Sequence, residues 1–264
     1  MSVRKNQADL TAAERKAFVD AVLELKRIGK YDPFVTLHRN IFMVGPEPVA
    51  HGSPSFLSWH RKYLIDFEDA LKSIDPAVSL PYWDWTVDRT PASSLWAPDF
   101  LGGTGRELDW QVMDGPFAHS GGRWPITVQA MNRPFLSRHL GRWVNTLPTR
   151  AEVDAALASP VYDAAPWNGL ATSGFRNALE DLHNLVHVWV GGDMNFDVSP
   201  NDPVFWLHHC FVDKLWSDWQ KRYPGASYLP AGNTPGVLDV NEPMHPWTTT
   251  AWGTLDHAPY YSYA

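Results

Sequence analysis

Cysteine is almost absent: Cys210 is the only one in 264 residues. That excludes an internal disulfide and any cluster of thiolate metal ligands. Long apolar runs are missing too, with nothing near the roughly 18 residues that a membrane helix needs. The N-terminal stretch MSVRKNQADLTAAERKAF lacks the apolar core of an export signal. The chain therefore reads as one that does not export itself, being cytoplasmic or secreted only when another protein carries it. Blocks of like charge are also lacking. The net charge of −7 is dispersed, which argues against nucleic acid or an anionic membrane as partner.

Tryptophan, by contrast, is plentiful, with 14 residues. Trp59, Trp189 and Trp206 each stand within three residues of a histidine that matters below. Bulky aromatics of this kind exclude water and hold neighbouring side chains rigid.

Helical punctuation divides the chain. Thr11 and Glu14 form a capping box, followed by Phe18, Val22 and Leu25 at helical spacing, so a helix is predicted over about 12–28. Asp32-Pro33 reads as N-cap and first residue of a second helix, which carries Phe34 and His38 on one face. A Gly/Pro-rich loop at 43–53 contains His51, and a third helix over about 54–73 places Phe56, His60, Leu64, Phe67 and Leu71 in an inner stripe. From about 75 to 148 the pattern dissolves into Pro, Gly and Trp, predicting short strands and long loops. Thr149–Glu152 is a second capping box, opening a short helix to about 158. Two more helices are expected, over about 173–189, stopped by Gly191-Gly192, and from Asp202-Pro203 to about 221.

Six of the 11 histidines fall in two distant clusters, His38, His51 and His60, then His183, His187 and His209. Neutral imidazole suits copper, zinc, iron and nickel, and three imidazoles make one site. His183 and His187 lie at i and i+4, so both point from one helix face. A zinc-protease reading needs Glu after the first of these, and Asn184 stands there. Glu180 shares the same helical face and reads as a partner that holds a ligand or as a base. Glu180-x-x-His183 also matches the motif of di-iron carboxylate bundles, which need it twice. The other copy, Glu242 to His245, contains Pro243 and lies outside any helical pattern. Imidazole without bridging carboxylate favours copper over iron. Helical periodicity leaves His208 and His209 open as the last ligand.

The segments HGSPSFLSWHRKYLIDFE (51–68), LPYWDW (80–85), SLWAPDFLGGTG (94–105), HNLVHVWVGG (183–192) and SPNDPVFWLHHCFVDKLW (199–216) resemble bacterial tyrosinases, the type 3 copper proteins. The likeness runs nearly end to end and points to the Streptomyces-type enzymes and their o-aminophenol oxidase relatives. It implies one domain over residues 1–264, a mainly α fold in which a four-helix bundle with long loops and a few short strands holds a dicopper centre. It further implies two copper ions, on His38, His51 and His60 and on His183, His187 and the second His of WLHH, His209. O2 would be the co-substrate, oxidising o-diphenols or o-aminophenols to quinones or quinone imines.

Monophenol hydroxylation in the family uses a water held by an Asn and a Glu, which Asn184 and Glu180 match. Those tyrosinases carry a longer insertion between that Glu and the His, where this chain has only Asp181 and Leu182. Val188, Phe196 and Asp197 are the expected substrate contacts; the family has small residues where Phe196 and Asp197 stand, and a carboxylate there would favour an amino-bearing ring. No Cys lies between residues 38 and 60, so the thioether that some members carry is absent. Cys210 points about 100° away from its neighbour His209 on a helix and reads as packing.

The competing functions are a hemocyanin-like O2 carrier and, more distantly, a di-iron oxidase. Carriers cover the metals with an extra domain, and only 55 residues follow His209. The resemblance also implies a small caddie protein that delivers copper and carries the export signal.

Overall fold

The computed structural model describes residues 2–43 and 49–264; of the predicted 43–53 loop, residues 44–48 lie outside the described part. Its helices are α1 (Ala12–Arg27), α2 (Asp32–Met43), α3 (Phe56–Lys72), α4 (Arg150–Leu157), α5 (Phe175–Val190) and α6 (Val204–Arg222). Thr11 accepts the Glu14 N–H at 3.2 Å while the Glu14 carboxylate accepts the Thr11 N–H at 2.8 Å, so α1 starts where two orphan donors are satisfied reciprocally. Thr149 and Glu152 repeat the device at α4. α5 stops at Gly191, whose φ of 66° is open to glycine at little steric cost.

The bundle consists of α2, α3, α5 and α6, with α6 packed on both α3 and α5. Phe34 of α2 meets Tyr63 and Phe67 of α3 and Trp206 of α6, and Phe67 stacks on Trp206 at 3.6 Å between ring centroids. Tyr31 donates to the Pro200 carbonyl at 2.6 Å and accepts from Trp206 Nε1 at 2.8 Å, fixing α2 to the segment before α6. Trp59, Trp189 and Trp206, which flank the histidines, are all buried.

Two expectations are corrected. Asp32 is the first residue of α2 rather than its cap, because its carboxylate is drawn away to Lys26 and Thr127. The short strands expected within 75–148 do not form either. Among the described residues that stretch holds only short helical turns at Ser94–Trp96 and His119–Gly121 and isolated bridges such as Gln111 with Ser137. Arg138 supplies the reason. Its guanidinium, fully buried against Asp202, donates to the carbonyls of Leu101, Gly102 and Gly103 at 3.2, 2.6 and 3.1 Å, acceptors that a neighbouring strand would otherwise satisfy.

Among the described residues, two strands form elsewhere. β1 (Ser2–Arg4) pairs in parallel with β2 (Tyr261–Tyr263), Ser2 opposite Tyr261. Arg4 then reaches inward to Glu68 of α3 at 2.9 Å and Asp213 of α6 at 3.4 Å, so both ends of the chain fasten to the bundle.

Candidate metal centre

The first histidine cluster joins three elements. His38 comes from α2, His60 from α3 and His51 from the segment between them, with ring centroids 5.0 to 5.9 Å apart. His38 Nδ1 lies 2.6 Å from the Asp197 carbonyl and His60 Nδ1 lies 2.9 Å from the Phe56 carbonyl. A carbonyl can only accept, so both rings carry their proton on Nδ1 and keep a lone pair on Nε2. Both Nε2 atoms are buried with no protein partner.

The second cluster obeys the same logic. His187 Nδ1 donates to the Met194 carbonyl at 2.7 Å, and His183 Nδ1 faces Asn184 Oδ1 at 3.1 Å. Their Nε2 atoms lie 3.3 and 3.2 Å from His209 Nε2 on α6. A proton on His209 could serve only one of them, leaving lone pairs pointed at one another. A shared cation removes the conflict, and these spacings suit donors about 2.0–2.1 Å from one ion. His208 also joins this group, all four offering nitrogens within 4.8 Å of one another, but the two short contacts go to His209.

Burial holds all these imidazoles neutral, the form that binds metal. It brings His38 and His187 down to about 4 and the others well below their ordinary value. An unfolded chain takes up protons as pH falls below about 6.5, whereas His38 and His187 resist until about 4. Their contribution to stability is full above that upper value and is lost as pH falls toward the lower one, on the order of 3 kcal/mol for each. The metal-free protein should therefore melt at steadily lower temperature from pH 7 to 4.5; a flat profile would contradict neutral clusters.

The two clusters touch. His60 and His209 stack with centroids 4.2 Å apart, Phe205 presses on His209 at 4.1 Å and His38 at 5.1 Å, and Phe56 lies 5.0 Å from both His60 and His183. Above them opens a cavity of about 290 Å³ whose walls include His38, His51, His183, His187, Asn184, Val188, Phe196 and Asp197. The predicted substrate contacts thus share one space with the imidazoles. A roomier groove of about 870 Å³ runs beside α1 and is lined by no histidine. At the rim, Asp197 faces Arg39 at 3.7 Å, which offsets part of its charge.

Glu180 is 5% exposed and lies outside the cavity wall. One oxygen accepts the Gly52 N–H at 2.6 Å, which tethers the His51 segment to α5, and the other accepts from Arg176 at 2.7 Å. Burial raises its carboxyl above the ordinary range, with Arg176 opposing. Arg176 also clasps Asp163 through two bonds of 2.9 and 2.8 Å. With only Asp181 and Leu182 between them, Glu180 and His183 stand on one unbroken helix. Cys210 is buried, its thiol pushed up to about 12 by burial, and takes no part in either histidine group.

The sequence matches the family described as the common central domain of tyrosinase over residues 28–222. The chain belongs to the tyrosinase family of type 3 copper phenol oxidases. It is 60% identical to a tyrosinase of Streptomyces antibioticus, covering 100% of this chain and 99% of the relative. Identity to a grixazone synthase of Streptomyces griseus is 42%, over 99% and 98% of the two chains. A polyphenol oxidase (mutant G292N) of Thermothelomyces thermophila superposes with a TM-score of 0.71 at 23% identity, covering 100% of this chain and 89% of that one, which speaks to fold alone. The cofactors of this tyrosinase-family chain are two copper ions, with O2 as co-substrate. The convergent lone pairs fit such a pair. No helix among the described residues is long and apolar enough to cross a membrane.

Sequence reasoning missed the groups that aim the rings. The carbonyls of Phe56, Met194 and Asp197 are main-chain atoms without a residue signature, and only Gly191-Gly192, read as a helix stop, hinted that the chain turns back over the site.

Proposed function

We propose that this chain, as one domain, oxidises o-diphenols and o-aminophenols to o-quinones and quinone imines, two substrate molecules per O2 reduced to two waters. His38, His51 and His60 hold one copper, and His183, His187 and His209 the other. The observation that carries this reading is the pair of imidazole triads converging beneath an open cavity. Bound copper supplies O2 binding and the capacity to take electrons from the substrate.

The protein supplies the rest. Val188 and Phe196 offer the apolar walls against which a ring lies flat, and Asp197 offers an acceptor to an amino or hydroxyl substituent at the mouth. Asn184, an exposed residue of the cavity wall, and Glu180, buried just behind it, hold a water that takes the proton from a monophenol, giving the enzyme hydroxylase activity as well. A hemocyanin-like carrier would use the same metal pair but would not turn over. A small caddie protein belongs to this reading, because Phe42 and Phe196, 52% and 38% exposed, leave an apolar rim for it to cover. Co-export with that partner, or retention in the cytoplasm, completes it.

Oxygen uptake by copper-loaded protein tests the proposal on catechol, an o-aminophenol and a monophenol primed with a trace of diphenol. Sustained uptake is expected on all three, and Asn184→Ala should lower the monophenol rate about 100-fold with little change on catechol. Protein that carries two coppers yet turns over none of them would return the carrier reading. Asp197→Gly should shift preference away from the o-aminophenol; an unchanged ratio to catechol would sink that role.

A further inference from the structure

The loop after α5 serves both histidine clusters at once. Its Met194 carbonyl takes the Nδ1 proton of His187 at 2.7 Å, and three residues on the Asp197 carbonyl takes that of His38 at 2.6 Å. These rings are assigned above to different coppers. The loop has one short helical turn, Gly192–Asn195, and so little hydrogen bonding of its own to hold the two carbonyls in place. Buried Met194 and Val198 pack it against the core, and its ties to the Ser137 segment gather around one buried side chain, Asp193.

Asp193 is 8% exposed. Its Oδ2 accepts from the Ser137 N–H at 2.8 Å and from Ser137 Oγ at 3.0 Å, and its Oδ1 lies 3.4 Å from Asn201 Nδ2. Its own N–H donates to the Ser137 carbonyl at 3.1 Å, and the preceding Gly192 N–H donates to His139 Nε2 at 2.8 Å. Gly192, at φ 57°, leaves no room for a side chain, since a Cβ would lie 2.0 Å from the Ser137 carbonyl oxygen. Neither Asp193 nor Ser137 lines the substrate cavity. A carboxylate is a costly choice here, as burial pushes its acid form up to about 6 with Asp202 adding to the cost. Its charge-assisted bonds are stronger than those of a neutral amide, which is what a latch requires.

We propose that Asp193 is a positioning residue for both metal sites, latching the 191–198 loop to Ser137 so that Met194 and Asp197 hold His187 and His38 with Nε2 free to bind metal. The inference rests on the ligand sets proposed above. His60 supplies an internal control, because its Nδ1 is held by Phe56 on its own helix.

The test compares wild type, Asp193→Ala and Asp193→Asn. In metal-free protein with 15N-labelled histidine, the Nδ1–H signals of His38 and His187 should broaden or vanish in Asp193→Ala while that of His60 persists. Competitive copper titration should show both equivalents weakened together, by roughly 10- to 100-fold. In turnover, kcat should fall with KM for catechol little changed, and Asp193→Asn, which keeps an acceptor for Ser137 without the charge, should recover only part of the loss. Unaltered His38 and His187 signals, loss of the His60 signal alongside them, or weakening of one copper alone would each overturn the latch. Should Asp193→Ala fail to fold, Ser137→Ala removes only the Oγ donor and carries the same reading. Wild type that binds no copper would instead defeat the ligand sets.

Discussion

His209→Leu should leave one copper where wild type holds two, and should lower catechol oxidation by roughly 1,000-fold, the scale on which removing one member of a catalytic unit acts. The geometry behind this is specific. His209 Nε2 is the atom that lies 3.2 and 3.3 Å from both α5 imidazoles, and without it these two nitrogens keep no short contact from α6. Leucine keeps the pocket filled, so the loss reports ligation rather than a cavity. His208→Leu is the counterpart. Its ring is equally buried and lacks partners on both nitrogens, but makes neither short contact. It should retain two coppers, as metal analysis of purified protein would show. Copper lost from His208→Leu and kept in His209→Leu would reverse the assignment.

Arg176→Met should destabilise the protein by about 3–5 kcal/mol, because it removes the cation from a buried cluster and strands two carboxylates. Arg176 binds Asp163 twice, Glu180 once and the Asn168 carbonyl at 3.2 Å, and its side chain has no solvent exposure. Thermal melting should fall by roughly 10 °C for a chain of this size. Adding Asp163→Asn should restore part of that by removing one orphaned charge. Copper binding by the His38, His51 and His60 group should weaken too, since Glu180 loses the bond that fixes the carboxylate accepting the Gly52 N–H beside His51. A melting point within 2 °C of wild type would show that water, not Arg176, satisfies these carboxylates.

Much of this architecture was legible because it rests on local rules. Both capping boxes formed, and the ends of α1, α3, α5 and α6 lie within about two residues of the expected positions. The histidines were legible as two groups because metal ligation demands clustered imidazoles, while periodicity left His208 and His209 open and the structure brings both into the second group. The middle of the chain was not legible. Its backbone is satisfied by side chains from afar, above all Arg138, and no local pattern announces a guanidinium arriving from 37 residues away. Glu180 was expected on the face of His183 and His187, but its tether to Gly52 spans 128 residues and leaves no trace in spacing.

The pairing of β1 with β2 acts as a buckle. Arg4 and its partner Tyr263 lie 259 positions apart. Without residues 261–263, Arg4 cannot complete its seat among Glu68, Asp213 and the tyrosine rings, and Asp213 lacks the hydroxyls of Tyr261 and Tyr263. The helices that carry His60 and His209 are the two that this buckle binds. Undoing the buckle should therefore slacken the two histidine-bearing helices against one another without touching a single imidazole.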